Sequence, residues 1–205
     1  MFLKICGITR VADALHAVHQ GATALGFVFW PGSPRAIDDD RAAEIIAALP
    51  AHVATVGVFV NESVEGVRRV IETTGIRAVQ LHGDEPPLFA EAIGHPLLRA
   101  VTLDEMAEAS RVWPVDTTFL LDTSDPVRRG GTGVTIDWSQ AAAVARGHKV
   151  VLAGGLTPLN VEEAIGTVRP FGVDVSSGVE ATPGVKDPDK VSLFLANARR
   201  AFELV

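Results

Sequence analysis

The sequence predicts a closed barrel of eight β/α units, and three observations lead to that fold class. Short apolar segments alternate eight times with amphipathic segments of helical period along the 205 residues. The apolar segments are β-branched and hydrophobic on successive residues, which marks strands buried on both faces of a parallel sheet. An open doubly wound sheet would normally show a Gly-x-Gly-x-x-Gly turn after its first strand, and Cys6-Gly7-Ile8-Thr9 supplies none. The length is ample for one large domain and short for a barrel. The α/β class is therefore a (β/α)8 TIM barrel of minimal size, with residues 1–205 expected to form a single domain.

The elements follow in order. Residues 2–6 read as a strand and 10–20 as a helix, whose Val11, Ala14, Leu15 and Val18 share one face before Gly21 stops it. A continuous apolar strand spans 24–29, a loop bearing Pro and Gly spans 30–37, and an amphipathic helix over 40–49 closes at Pro50. The third unit is a strand over 53–59 and a helix over 63–73 that stops at Gly75. The fourth is a strand over 78–81, then His82-Gly83-Asp84 and a helix over 87–93. Next come 97–101 with a helix over 104–112, and 119–121 ending on Asp122 ahead of the longest loop, 123–136, whose length marks it as functional. A helix over 137–146 leads to the strand 150–152 and Ala153-Gly154-Gly155. Thr157 is expected to cap the next helix with Pro158 at its first position. The last unit is a strand over 172–175, Ser176-Ser177-Gly178-Val179-Glu180, and a closing helix over 188–202 capped by Asp187.

Composition narrows the function. Hydrophobic residues make up 47% and charged ones 21%, an ordinary globular balance that argues against disorder. The net charge of -7, with no basic cluster to neutralise phosphates, argues against nucleic acid. The longest apolar runs, such as 22–30, are too short to span a membrane, and Lys4 interrupts any signal-like start, so a reducing cytoplasm is the expected location. Six scattered histidines form no metal cluster, and no metal is expected.

Closing the sheet gathers the carboxyl ends of the strands on one face, where barrels keep their chemistry. Those ends carry Cys6, Ser33-Pro34-Arg35, Asn61, His82, Asp122, Gly154-Gly155 and Ser176-Ser177-Gly178. Each alone has a structural explanation: Cys6 as buried filler, Asn61 as a helix cap, His82 as a loop contact, Arg35 as a solvated charge. Together they describe one pocket. Backbone N–H groups of Gly154, Gly155, Ser177 and Gly178, beside a short helix beginning near Ser177, suit a phosphate. Gly130-Gly131-Thr132-Gly133 in the long loop gives a weaker signal, read as a mobile lid. Cys6 is the only cysteine, so no internal disulfide competes for it, and with Asp122 it supplies the base and acid that an aldose-to-ketose shift needs. Lys4 shares the inward face of its strand with Cys6 and is expected to pair with Asp174 on the neighbouring eighth strand.

The motifs Lys4-Ile5-Cys6-Gly7-Ile8-Thr9, Gly26-Phe27-Val28-Phe29 with Ser33-Pro34-Arg35, Val56-Gly57-Val58-Phe59-Val60-Asn61 and Val79-Gln80-Leu81-His82-Gly83 resemble the phosphoribosylanthranilate isomerases of tryptophan biosynthesis. So do Leu120-Leu121-Asp122, Gly130-Gly131-Thr132-Gly133, Ala153-Gly154-Gly155-Leu156 and Asp174-Val175-Ser176-Ser177-Gly178-Val179-Glu180. The likeness covers nearly the whole chain. It implies an Amadori rearrangement of N-(5-phosphoribosyl)anthranilate with Asp122 as general acid and Cys6 as general base. It also implies Arg35 on the anthranilate carboxylate, His82 and Asp174 as further substrate contacts, and phosphate at Gly154, Gly155, Ser176, Ser177 and Gly178. No cofactor is implied, and the chain is expected as a monomer or homodimer. The rival readings are another phosphosugar isomerase or epimerase barrel and a silent barrel that only binds a phosphorylated ligand.

Overall fold

In the computed structural model, which describes residues 1–123 and 135–205, eight parallel strands pair in sequence order and close on themselves. The units are β1 (Phe2–Cys6) and α1 (Val11–His19), β2 (Ala24–Val28) and α2 (Asp39–Ala47), β3 (Ala54–Phe59) and α3 (Val64–Thr74), β4 (Ala78–Leu81) and α4 (Leu88–Ile93). They continue with β5 (Leu97–Val101) and α5 (Leu103–Val112), β6 (Thr118–Leu121) and α6 (Trp138–Ala145), β7 (Val150–Leu152) and α7 (Val161–Val168), and β8 (Gly172–Val175). A single 3-10 turn over Ser177–Val179 and a short hairpin, β9 (Glu180–Thr182) with β10 (Val185–Lys186), precede α8 (Pro188–Phe202). No helix among the described residues is long and apolar enough to cross a membrane. The glycine motif at 130–133 lies outside the described residues.

Two details differ from the sequence expectation. Thr157 does not cap α7: a turn intervenes, in which the Thr157 N–H donates to Asn160 Oδ1 at 2.7 Å, and the helix starts after Asn160. The β9–β10 hairpin was not anticipated, because its strands are too short and polar to show a period. Its one local signal is the Pro183-Gly184 turn. Elsewhere the caps follow the chemistry of their residues. The Ser63 hydroxyl accepts from Gly66 N at 3.0 Å, and Thr102 with Glu105 forms a reciprocal capping box at the start of α5.

Side-chain parity divides the interior into layers. Leu3, Ile5, Leu25, Phe27, Leu81, Leu121, Leu152 and Val173 point outward and pack under the helices. Ala24, Val56, Leu98, Ala100, Leu120 and Val151 point inward and plug the barrel. Nearer the carboxyl ends the interior turns polar, with Lys4 fully buried and Gln80 and Asp174 nearly so. Register sets Lys4 beside Asp174 across the β1–β8 closure. The Lys4 ammonium donates to Asp174 Oδ1 at 3.0 Å and to Gln80 Oε1 at 2.9 Å, so the expected Lys4–Asp174 pair is present and has a second partner on β4.

Gly26 on β2 makes room for this layer. A Cβ there would sit 2.7 Å from Cys6 Sγ, closer than real Cβ atoms approach, and a tight 3.1 Å from Lys4 Nζ. Removing the charge that Asp174 depends on leaves a buried carboxyl without its counter-ion. We expect Lys4→Met to lose about 3–5 kcal/mol of stability, read as a lowered urea midpoint. A midpoint unchanged from the parent would show that the pair does not hold the barrel together.

Candidate active site

The polar layer continues upward as a chain of side chains across the barrel. Gln80 Nε2 lies 3.0 Å from His82 Nδ1, and His82 Nε2 lies 3.7 Å from Asp122 Oδ2. Asp122 follows β6, and its Oδ1 accepts from the Thr123 N–H at 2.7 Å. Cys6 ends β1 two residues above Lys4, on the same inward face, packed with Val28, Val58 and Trp30. β1, β4, β6 and β8 therefore bring a thiol, an imidazole and two carboxyl groups around one ammonium.

Burial dominates the protonation of these groups. It pushes the Asp122 carboxyl above the ordinary aspartate range, and the Thr123 N–H and the charge of Lys4 only partly counter it. Burial likewise pushes the Cys6 thiol up, against the opposing pull of Lys4 and Lys186. His82 is driven down to about 4 by burial and by the charge of Lys4. Burial also works against Lys4, yet Asp174 and Cys6 hold its pKa above the usual lysine value. Burial thus favours the uncharged forms of Asp122, Cys6 and His82, while Lys4 keeps its charge.

On the other side of Cys6 stands a second ionic group. Arg35 donates from Nε and Nη2 to the two oxygens of Glu180, both at 2.8 Å, a bidentate pairing of planar groups. Lys186 Nζ donates to Glu180 Oε1 at 2.9 Å and to the Ser176 carbonyl at 3.1 Å. The Arg35 side chain crosses Gly7, which has φ of 76°; a Cβ there would meet Arg35 Cδ at 2.6 Å and Ser176 Oγ at 3.1 Å. Ser176 Oγ is buried with no hydrogen-bond partner among the described residues.

The turns after β7 and β8 meet each other. A Cβ on Gly178 would collide with the Leu156 carbonyl, and one on Gly154 would lie 3.3 Å from Asp122 Oδ1. The N–H groups of Gly154, Gly155, Ser177 and Gly178 donate to no protein acceptor among the described residues. Asn160 braces the first turn by donating from Nδ2 to the Gly155 carbonyl at 3.0 Å. The result is a patch of backbone donors beside the acid–thiol pocket. Among the described residues, no three His, Cys, Asp or Glu side chains group as metal ligands would.

The family described as "PRAI: N-(5'phosphoribosyl)anthranilate (PRA) isomerase" matches residues 3–197. A Trichlorobacter lovleyi protein named N-(5'-phosphoribosyl)anthranilate isomerase is 49% identical over 206 residues, covering 97% of this chain and 98% of its own. The chain belongs to the phosphoribosylanthranilate isomerase family. The crystal structure of the Thermotoga maritima enzyme superposes with a TM-score of 0.91 at 43% identity, covering 98% of this chain and 99% of that one. A further isomerase structure, in complex with reduced 1-(o-carboxyphenylamino)-1-deoxyribulose 5-phosphate, gives a TM-score of 0.87 at 42% identity, with coverage of 98% and 99%. Membership makes the chain an isomerase of tryptophan biosynthesis and disfavours the epimerase and binding-only readings.

Cys6 ends its strand, His82, Asp122, Gly154, Gly155, Ser176, Ser177 and Gly178 follow the ends of theirs, Arg35 lies in the loop after β2, and Asp174 lies within β8. Cys6, Arg35 and Ser176 gather on one side, His82 and Asp122 on the other, with Asp174 beneath. Asn61 is not a helix cap: it joins the β3 and β4 turns, accepting from the Asp84 N–H at 2.6 Å. Sequence reasoning overlooked the partners that hold the site: Gln80, Glu180, Lys186 and Asn160. Gln80 had a signal, as the lone polar residue of an apolar strand. Glu180 ends one of the family motifs but nothing local gave its partner, since the contact between Arg35 and Glu180 spans 145 positions, and Lys186 had no signal.

The depressed His82 value sets a pH dependence for this isomerase fold. An exposed histidine titrates near ~6.5 in the unfolded chain, whereas His82 in the folded chain does so at about 4. Between those values the unfolded state binds the extra proton, so stability falls as pH drops from about 6.5 toward 4. Urea midpoints at pH 7 and pH 5 should differ more for the parent than for His82→Gln. Equal differences would mean that His82 carries no such linkage.

Proposed function

We propose that the chain converts N-(5-phosphoribosyl)anthranilate into 1-(2-carboxyphenylamino)-1-deoxyribulose 5-phosphate, with Asp122 as general acid and Cys6 as general base. The observation that carries this reading is a buried carboxyl group, its pKa pushed up by that burial, and the chain's single thiol, both set around Lys4 at one barrel mouth. Asp122 gives its proton to the furanose ring oxygen as the ring bond at C1 breaks, and the anilino nitrogen lone pair forms the protonated imine. Cys6 as thiolate takes the proton from C2, and that electron pair forms the enolamine, which tautomerises to the ketone. The imine is the electron sink, so the step asks only for an acid and a base.

Forming the thiolate costs free energy in a buried site. Lys4 and Lys186 favour the anion, and the cationic imine arrives where it forms. Arg35 is presented by Glu180 through Nε and Nη2, which leaves its Nη1 hydrogens for the anthranilate carboxylate. Val28, Val58 and Trp30 beside Cys6 offer an apolar wall to the aromatic ring. The unengaged N–H groups of Gly154, Gly155, Ser177 and Gly178, with the Ser176 hydroxyl, take the phosphate, and Asp174 with His82 face the sugar. A reducing cytoplasm suits an enzyme whose turnover depends on one free thiol.

Cys6→Ala and Asp122→Asn should each lower kcat by at least ~100-fold while leaving binding of a reduced product analogue nearly unchanged. Turnover followed by anthranilate fluorescence decides this, and near-parent kcat in either variant removes that residue from the mechanism. Arg35→Ala should mainly raise KM, because Glu180 retains Lys186 as a counter-ion and the loop keeps its anchor. An unchanged KM would sink the carboxylate assignment.

A further inference from the structure

The side chains from Lys4 to Asp122 form a directional sequence of hydrogen bonds. A lysine ammonium can only donate, so the Gln80 group facing it at 2.9 Å is the amide oxygen. The amide nitrogen then faces His82 Nδ1 at 3.0 Å. That nitrogen is also donor-only, so Nδ1 must be the bare, accepting nitrogen of the ring. A neutral imidazole carries one hydrogen, which is left on Nε2, 3.7 Å from Asp122 Oδ2. The Lys4–Asp174 pair, at 3.0 Å, keeps the ammonium charged, and each later proton position follows from it.

We propose that Gln80 is a positioning residue: it fixes His82 as the Nε2–H tautomer, so that this N–H donates to the Asp122 carboxylate that ring opening leaves behind. The inference rests on Asp122 being the general acid. In that role Asp122 carries its proton before the transfer, and the 3.7 Å separation is too long for a hydrogen bond. Once its proton has gone to the ring oxygen, Asp122 becomes a buried anion. Its Oδ1 already accepts from Thr123, and His82 supplies a donor for Oδ2. The bond tightens as charge develops, so it lowers the barrier more than it strengthens substrate binding. A reversed tautomer would aim a lone pair at the new carboxylate.

Two measurements test this. In protein labelled with 15N-histidine, the His82 signals, assigned by their loss in His82→Gln, should show the hydrogen on Nε2 near neutral pH. Gln80→Met conserves the side-chain length and removes the amide, while Lys4 keeps Asp174. It should give a mixture of His82 tautomers and a kcat lower by about 10–100-fold with KM within about twofold of the parent. Placed in Asp122→Asn, the same substitution should cause no further loss, because its effect runs through the Asp122 carboxylate. A parent His82 with its hydrogen on Nδ1 overturns the proposal even if Gln80→Met does not fold. So do a parent-like kcat in Gln80→Met and losses that multiply in the double variant. A parent-like kcat in Asp122→Asn alone would instead remove the general acid and with it the catalytic reading.

Discussion

A charged ammonium with no exposed surface sits inside this barrel, and much of the site is arranged around the need to keep it there. Isolated in a medium of low dielectric constant, such a charge is prohibitive, and a partner with good geometry is required. Lys4 obtains Asp174 from the strand that closes the barrel and Gln80 from the opposite wall. Gly26 leaves the volume that the side chain and the neighbouring thiol occupy. From this position the ammonium acts on three groups above it, opposing the neutral forms of Cys6 and Asp122 and helping to keep His82 uncharged. One positive charge thus serves both the integrity of the interior and the protonation pattern at its mouth.

The acid and base are tuned by burial more than by their partners. A carboxyl group in water is an anion at neutral pH and useless as an acid, so a dry site is the simplest way to keep its proton available. The same dryness disfavours the thiolate. This conflict explains why the cysteine side of the mouth holds two further cations, Lys186 and Arg35, linked through Glu180. Glu180 in turn stays ionised although burial opposes its charge, because Arg35 and Lys186 both donate to it.

The fold was legible because parallel strands buried on both faces leave uninterrupted apolar runs, and amphipathic helices between them leave a 3.6-residue period. The position of the pocket was legible for the same reason: strand order alone decides which residues reach the open end. The Lys4–Asp174 pair could be read from side-chain parity and strand adjacency. Contacts between turns could not. Glu180 reaches Arg35 through a hairpin whose strands are two and three residues long, too short for any period to register. Thr157 shows the opposite error, a good local capping residue whose turn was taken over by Asn160. Gln80 stood out as a polar residue in an apolar strand, yet its meaning depended on what lay across the barrel.

The closure between β1 and β8 has a further consequence for how the chain comes off the ribosome. Lys4 is made 170 positions ahead of its carboxylate partner. Throughout most of synthesis the first strand has one edge unpaired and its lysine no interior to enter. Loop-closure entropy for so distant a contact must be met by the accumulated burial of the intervening units. Until the eighth strand is available the barrel cannot close, and the Lys4 ammonium has no carboxylate across that seam.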